Sequence, residues 1–410
     1  MATGISTGKW SGEQVIPFAE ALGAIELNYS GKQSVAEVLG AKAAHLEIIE
    51  NINNSNGDNR IYLGDNLPIL AALMGDESVR GKVDLCYIDP PYATQSVFHS
   101  RSEKAAYMDL LKGPEYIEFL RKRLILIREL MSDHGSIYIH LDDNMAFYAK
   151  ILCDEVFGKK NFRNWITRKK CNTKNYTKHQ FGNVADYILF YTKTDEYVWN
   201  RPKVDWSDET MRKEYSYIEP DGRRFKKVPI HAPGVRNGET GKPWRGVMPP
   251  TGKHWQYVPS KLEELDKKGE IFWSKNGNPR RKIYFDPASG IPVQDIWMDF
   301  KDAHNQNIKI TGYPTEKNFD MLKFIVGAST DQDSLVLDCF MGSGTTLEAA
   351  DFLNRRWIGI DSSQEALDVT KKRLIYGRER MGDFVQNKSM QMEIGIDTKT
   401  ATSFRILKAV

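Results

Sequence analysis

The sequence predicts an α/β protein whose parallel-type sheet is built from two separate sequence segments. Apolar strand-like runs alternate with helical spacing before about residue 162 and again after about residue 312. The stretch between these segments has a different character and is rich in Trp, Gly, Pro and basic residues. With 41% hydrophobic and 27% charged residues, the chain has an ordinary globular composition and can bury a sizeable core.

The first segment begins with a short buried strand. Val83–Ile88 is an apolar run that stops at Asp89, as a buried strand ends in a loop. Residues 116–131 place apolar side chains at the spacing of a helix. A second strand is predicted over 136–141, and a second helix over about 144–157.

The second segment repeats this alternation. The pattern predicts, in order, a helix over 318–328, a strand over 334–337, a Gly-rich turn at 342–344, a helix over 345–353 and a strand over 357–360. Such alternation on both sides of an insertion indicates one sheet assembled from both segments.

The insertion carries the chain's basic excess. Residues 159–285 contain 28 Lys and Arg against 14 Asp and Glu, whereas the remainder contains 29 basic and 40 acidic residues. Seven of the nine Trp also lie within residues 162–297. A confined basic excess is typical of a module that binds a polyanion, although a solvated basic face would look the same.

Other features limit the cellular setting. The four Cys are scattered without a CxxC pair, so no metal site is predicted and a reduced cytosolic compartment is expected. No window reaches eighteen uncharged apolar residues, and residues 1–12 lack the pattern of a secretory signal. The sequence thus predicts a cytoplasmic protein with no membrane partner.

The motif Asp89-Pro90-Pro91-Tyr92 has a readable chemistry. An exocyclic base amine is a poor nucleophile because its lone pair is delocalised into the ring. The Asp89 carboxylate and a prolyl carbonyl could accept both of its N–H groups and so free the lone pair. The prolines fix the backbone and offer no competing N–H, and Tyr92 offers a face for a flipped base. A Pro-rich turn capped by Asp is the structural alternative.

A second motif runs from Leu337 to Thr346 and contains Gly342-Ser343-Gly344. A strand that enters a Gly-rich turn before a helix lets a ligand approach the backbone and a helix N-terminus. Leu347 stands where a dinucleotide fingerprint has its third glycine, which counts against an NAD-dependent oxidoreductase. Asp361 is placed either to bind ribose hydroxyls or to cap the following helix.

Together these residues resemble the permuted (β) class of DNA amino-methyltransferases, in which the DPPY segment precedes the cofactor loop. The resemblance covers about residues 61–374. It extends to the GD segment at 61–66, to a stretch at 114–144 shared with modification subunits of type III restriction systems, to a YPTxKP-like motif at 312–317 and to an acidic cofactor strand at 354–361. The resemblance implies a Rossmann-like methyltransferase sheet in permuted order with an inserted target-recognition domain.

The resemblance also implies a domain plan. An N-terminal segment of unknown role (1–45) precedes the catalytic part of the core (46–161), and a basic target-recognition domain (162–300) is inserted before the cofactor part (301–378) and a C-terminal tail (379–410).

Carried over position by position, the resemblance implies catalytic and cofactor residues. The catalytic residues would be Asp89, Pro90, Pro91 and Tyr92. S-adenosylmethionine would be surrounded by Asp65, Thr315, Lys317, Asp338, Phe340, Gly342, Gly344, Thr345 and Asp361. Asn318 and Cys339 replace two prolines usual in the family, at positions beside the cofactor and not at the amine.

Double-stranded DNA is the expected partner. Phosphate contact is expected of basic residues in the insertion, namely Arg168, Lys169, Lys170, Arg223, Arg224, Lys226, Lys227 and Arg245. A homodimer is expected, a restriction subunit is a possible partner, and the setting would be a bacterial or phage-encoded protein associated with the nucleoid. The expected reaction is methylation of adenine N6 in DNA. N4-cytosine methylation, an RNA target and a catalytically silent DNA-binding regulator are the alternatives.

Overall fold

The structure, a computed structural model, describes residues 25–53, 58–91, 113–172, 178–302, 316–377 and 402–410, together with the backbone of 309–310 and 379–380. Tyr92 and Thr315 lie outside the described residues. The chain divides into two compact units. The first comprises Met1–Pro202 and Gln294–Val410, and the second comprises Lys203–Val293.

The elements follow one another in a mixed order of strands and helices. The strands are β1 (Leu46–Ile52), β2 (Arg60–Leu63), β3 (Val83–Ile88), β4 (Met131–Leu141), β5 (Phe162–Lys169), β6 (Ala185–Thr192), β7 (Lys203–Val204), β8 (Tyr217–Ile218), β9 (Arg224–Pro229), β10 (His231–Pro233), β11 (Lys253–Trp255), β12 (Ile271–Trp273), β13 (Pro279–Tyr284), β14 (Ile291–Pro292), β15 (Ile296–Trp297), β16 (Lys309–Ile310), β17 (Leu335–Asp338), β18 (Arg356–Asp361), β19 (Glu379–Arg380) and β20 (Phe404–Ala409). The helices are α1 (Val35–Leu39), α2 (Asn66–Leu73), α3 (Pro114–Leu130), α4 (Ala146–Phe157), α5 (Asp208–Glu214), α6 (Pro259–Lys267), α7 (Phe319–Ser329), α8 (Thr345–Phe352) and α9 (Gln364–Tyr376).

The first unit is built on one ten-stranded sheet with the order β1-β20-β2-β18-β17-β3-β4-β6-β5-β15. The strands from β20 to β4 are mutually parallel, whereas β1, β6 and β5 join by antiparallel pairs. Strand β3 leads through α3 to β4 on one side, and β17 leads through α8 to β18 on the other. The two sequence segments therefore meet at β3 and β17, which confirms the predicted α/β fold and creates a topological switch point.

The helices and strands form where the apolar pattern predicted them. Helix α3 buries Leu120, Leu124, Ile127 and Leu130 completely against the core. Burying one such side chain stabilises the fold by about 1.5–3 kcal/mol, so this face alone fixes α3 on the sheet. Pro114 occupies the first turn of α3, where its missing N–H costs no hydrogen bond.

The second unit starts later than the insertion expected at 162–300. Strands β5 and β6, which lie within that stretch, pair with each other and with β4 in the large sheet. The physical reason is that β6 buries nearly all its side chains as a continuous apolar strand, although its neighbours are basic. Only residues 203–293 form the separate unit.

The aromatic residues of the second unit form its core. A four-stranded sheet, β12-β13-β9-β8, is accompanied by α6 and the short pair β10–β11. Trp255 is 1% exposed and packs with Trp244, Leu262 and Ile271. These two Trp side chains therefore stabilise the unit. None of the helices that the structure describes has both the length and the apolar character needed to cross a membrane.

Candidate active site at the switch point

Four neighbouring parallel strands carry an Asp at or just beyond their carboxyl ends. Asp65 follows β2, Asp361 ends β18, Asp338 ends β17 and Asp89 follows β3. The carboxyl ends of parallel strands meet at one edge of the sheet, and the crevice at a switch point on that edge is where such folds bind ligands. The sequence motifs, which are far apart along the chain, are thus brought together.

Asp89 lies beside a cation. The Asp89 Oδ2 atom is 2.9 Å from Lys317 Nζ, and both side chains are mostly buried. Pro90 is buried and Pro91 half-buried, so the prolines pack this turn against the edge of the sheet. Lys317, expected at the cofactor, therefore contacts the predicted catalytic carboxylate.

The Gly-rich turn requires its glycines. Gly342 and Gly344 have φ angles of 49° and 73°, in the left-handed region. A Cβ on Gly344 would lie 2.5 Å from the Cγ2 atom of Thr370. Thr370 Oγ1 also donates to the Gly342 carbonyl at 3.0 Å, so a side chain of α9 stabilises the conformation of the turn.

Asp361 supports the same turn. One of its carboxylate oxygens accepts from the Gly342 N–H at 3.0 Å, and the other accepts from the Ser363 N–H at 2.9 Å. The N-cap of α9 is Ser363, whose hydroxyl accepts from the Ala366 N–H. Asp361 thus has a structural task, the anchoring of the turn, and the predicted contact with ribose stays a prediction.

Asp338 is fully enclosed. Burial raises the pKa of its carboxyl to about 7, against hydrogen bonds from Thr346 and from the Phe340 N–H that lower it. The neighbouring charges of Asp89 and Asp361 raise it further. Because a pKa of about 7 leaves Asp338 partly protonated at neutral pH, Asp89 and Asp361 supply most of the negative charge that makes the crevice complementary to a ligand with positive charge.

A network that sequence reasoning missed joins the GD segment to the Gly-rich turn. Arg123 donates to Asp65 Oδ1 at 2.9 Å and to the Asn66 side chain, and its guanidinium lies 3.5 Å from the Phe119 ring centroid. Asn66 Nδ2 donates to the Cys339 carbonyl at 2.7 Å. Phe119 and Arg123 are four residues apart, so a shared face of α3 was readable from the sequence, but their distant partners were not.

A second network engages Thr345. Arg373, fully buried, donates to Thr345 Oγ1 at 2.5 Å, to the Ser343 carbonyl at 2.9 Å and to the Glu316 carboxylate. Arg373 therefore links Glu316, the residue before Lys317, to the Gly-rich turn. The hydroxyl of Thr345, expected at the cofactor, faces this arginine.

A buried polar chain lies under the catalytic turn. Tyr87 Oη is 2.7 Å from His140 Nδ1, and His140 Nε2 is 2.8 Å from Asp186 Oδ2. Arg168 donates to Asp186 at 2.8 Å and to Asp302 at 2.7 Å. Burial lowers the pKa of His140. Burial alone would raise the pKa of Asp186, but His140 and Arg168 outweigh this effect and hold the pKa of Asp186 below its usual range.

The structure therefore corrects the prediction that Arg168 contacts DNA. Its side chain is completely buried and its Nε–H also donates to the Phe300 carbonyl at 2.6 Å, so no phosphate can reach it. Strand alternation explains the difference, because Arg168 points into the sheet layer while Lys169 points to the opposite side.

The other predicted DNA contacts lie outside the core of either unit. Lys169 and Lys170 are half-buried at the end of β5. In the second unit, each of the predicted DNA contacts has a partner within the chain. Arg223 pairs with Asp221, Lys226 pairs with Glu214, and Arg245 pairs with Glu263 and Asp266. Arg224 donates to the Tyr215 carbonyl, and Lys227 lies over the rings of Tyr217 and Phe272. Their contact with DNA stays a prediction.

The fold and the crevice define a class of protein: an α/β enzyme that binds its cofactor at the switch point of a doubly wound sheet. Comparison with known proteins makes the class specific. The profile of the N6/N4 methyltransferase family, described as DNA methylase, matches residues 83–372. The chain belongs to this family of DNA methyltransferases, as its motifs predicted.

Relatives agree with this assignment. The type II methyltransferase M.EcaI of Enterobacter cloacae is 47% identical over 381 residues, which are 91% of this chain and 83% of that protein. The type III restriction-modification enzyme StyLTI Mod subunit of Salmonella typhimurium is 27% identical over 80% of this chain, which spans 56% of that subunit. The crystal structure of the M1.HpyAVI–SAM complex has a TM-score of 0.43 and 18% identity, with 77% of this chain and 98% of that one covered.

S-adenosylmethionine is the methyl donor of this family and the cofactor of this chain, as predicted. The residues present fit it. Gly342 and Gly344 allow the tight turn that leads from β17 into the N-terminus of α8 at the crevice. The half-buried carboxyl groups of Asp361 and Asp89 suit a ligand with a sulfonium and an ammonium group. Phe340, half-buried beside Phe119, adds an aromatic surface.

Proposed function

We propose that this DNA methyltransferase modifies N6 of adenine. The observation that carries the proposal is the position of Asp89 and Pro90. They directly follow β3, the strand that pairs with β17, and β17 leads into the Gly-rich turn. A base amine held at Asp89 is thereby placed next to the cofactor crevice.

The proposed chemistry activates the amine by hydrogen bonding. The Asp89 carboxylate accepts one N–H of the amine and a prolyl carbonyl accepts the other, which moves the lone pair out of conjugation with the ring. S-adenosylmethionine supplies an electrophilic methyl group when bound. Lys317, at 2.9 Å, orients the carboxylate toward the incoming amine. Stacking of the flipped base on Tyr92 remains part of this proposal.

The proposed cofactor site uses the surrounding elements. Gly342 and Gly344 shape the turn beside the cofactor, and Phe340 offers a ring face. Asp65 follows β2 and Asp361 ends the neighbouring strand β18. Asp338 stays within the turn, where its carboxyl accepts from the Phe340 N–H at 3.0 Å. Lys317 and Thr345 act through Asp89 and Arg373, their partners in the structure.

Adenine is favoured over cytosine by the first residue of the motif. In the class of enzymes that this chain resembles, those that methylate N4 of cytosine mostly begin this motif with Ser, whereas this chain begins it with Asp89. A carboxylate accepts a stronger hydrogen bond from an amine than a hydroxyl does.

The test identifies the product directly. The protein is incubated with S-adenosylmethionine and DNA from a host without methyltransferases, and the digested nucleosides are analysed by mass spectrometry. We expect N6-methyldeoxyadenosine from the wild type and no product from Asp89→Ala. As a matched control, Asp195→Ala removes an exposed carboxylate beyond β6, at the opposite edge of the sheet, and should retain activity.

Two outcomes would contradict the proposal. N4-methyldeoxycytidine as the product would overturn the assignment of adenine. Near-normal turnover by Asp89→Ala would remove Asp89 from the reaction. Sequencing of modified bases in a host that expresses the chain gives the recognition sequence. We propose that the second unit reads this sequence.

A further inference from the structure

Two neighbouring strands of the large sheet extend past its active-site edge. They are β5 and β6, and together with residues 170–172 and 178–184 at their ends they are hereafter called the edge hairpin. Ile88, the last residue of β3, is level with Ile139 of β4, which is level with Leu189 of β6. Strand β6 begins four residues earlier, at Ala185, where it pairs with Lys169. At about 3.3 Å per residue, the two strands reach roughly 13 Å beyond the level of Ile88.

The structure holds this projecting end in place. The Lys170 N–H donates to the Val184 carbonyl at 2.9 Å, which continues the pairing beyond the strands. The Lys170 carbonyl accepts from the Asp302 N–H at 2.8 Å, and Asn183 Nδ2 donates to Asp143 Oδ1 at 2.9 Å. Asp143 follows β4, so the edge hairpin is tied to the loop next to the catalytic strand.

The charge of the edge hairpin is opposite to that of the crevice. Its projecting end, residues 168–185, contains five Lys and Arg and no Asp or Glu. Arg168 is buried and its charge is compensated by Asp186 and Asp302, which leaves Lys169, Lys170 and the exposed Lys178 directed to the surface. A cationic projection beside an acidic crevice can hold a phosphate backbone while the crevice holds a cationic cofactor.

One aromatic side chain stands out on this projection. Phe181 is 100% exposed, although Asn183, two residues away, is fixed by its bond to Asp143. A single exposed apolar residue is common on protein surfaces. A ring among cations, by contrast, is the combination that binds nucleic acid by stacking on bases and neutralising phosphates.

We propose that the edge hairpin is a DNA-binding element of the first unit, in addition to any DNA contacts made by the second unit. Lys169, Lys170 and Lys178 contact phosphates, and the Phe181 ring stacks on the bases next to the nucleotide that is turned out toward Asp89. Opening a base pair has an unstacking cost, which a protein ring that takes up the stacking surface offsets. This inference rests on the proposed methylation of DNA.

The experiment compares Phe181→Ala with Phe181→Trp on a duplex that contains the mapped recognition sequence. We expect Phe181→Ala to lower kcat by about tenfold, the scale of one aromatic–base stack, and Phe181→Trp to retain activity. Tyr376→Ala is the matched control, since Tyr376 is a 77% exposed aromatic residue at the far end of α9. A mismatch opposite the target base lowers the cost of opening and should rescue Phe181→Ala.

The outcomes separate this inference from the proposed function. If the wild type produces no methylated DNA, the proposed function fails. If the wild type methylates DNA and Phe181→Ala behaves like Tyr376→Ala, only the stacking role is overturned, and a lack of rescue by the mismatch has the same meaning. For the cations, Lys178→Ala should reduce the slope of log affinity against log salt by about 1. An unchanged slope would remove Lys178 from the phosphate contacts.

Discussion

At the scale of single residues, Gly344 makes the sharpest demand on side-chain identity. Its φ of 73° disfavours any side chain, and a Cβ would also press on Thr370 at 2.5 Å. We expect Gly344→Val to weaken binding of S-adenosylmethionine about tenfold or more, because strain of roughly 1–3 kcal/mol falls on the turn. Isothermal titration calorimetry on the folded variant measures this.

Gly377→Val separates strain from location. Gly377 has a similar φ of 75°, but a Cβ at this position would meet nothing within 4 Å. With a ψ of −162°, against 21° at Gly344, this variant carries at least as much backbone strain outside the crevice, and it should bind the cofactor as the wild type does. Equal affinities for Gly344→Val and the wild type would show that the turn is not part of the cofactor site.

At the scale of elements, the strands β3, β4, β5 and β6 are held together by the chain from Tyr87 through His140, Asp186 and Arg168. Removing one partner of a buried ion pair leaves the other charge uncompensated and typically costs about 3–5 kcal/mol. We expect Arg168→Ala to lower the free energy of unfolding on this scale in urea denaturation. Lys170→Ala, on the same hairpin but half-buried, should change it by less than about 0.5 kcal/mol.

The contrast between these variants tests the corrected role of Arg168. If Arg168→Ala kept full stability and lost only DNA affinity, Arg168 would be a phosphate contact after all, as the basic run Arg168-Lys169-Lys170 suggests. The structure favours the stabilising role because Arg168 reaches Asp302 as well as Asp186.

The same elements show how far sequence reasoning reaches. Strand β3 was predictable as a short apolar run that stops at Asp89, and helix α3 was predictable because its apolar residues repeat at the period of a helix over many positions. The edge hairpin falls within the predicted insertion because its basic composition masks the strand pattern of β5. The short strands of the second unit carry too few residues to show a period. In the crevice, Asp89 and Gly344 were readable as motifs, whereas the pairing of Arg123 with Asp65 depends on tertiary contacts.

At the scale of the whole molecule, the charge distribution bears on assembly. Outside residues 159–285 the chain carries 40 acidic and 29 basic residues, and the methyltransferase core belongs to this part. The outermost strand, β1, exposes Ile48 and Ile49 by 57% and 50%. An edge strand with apolar side chains is a surface on which a second chain can pair or pack.

We therefore expect a homodimer whose cores meet through the exposed apolar side chains of β1. One copy could then read the sequence while the other holds the flipped base. Light scattering at micromolar concentration, with and without DNA, should give twice the mass of one chain, and Ile49→Lys should shift the mass toward the monomer. The conservative control Ile49→Val keeps the surface apolar and should remain dimeric. A monomer mass in both states, together with full activity, would contradict the dimer, and a dimer unaffected by Ile49→Lys would place the contact away from β1.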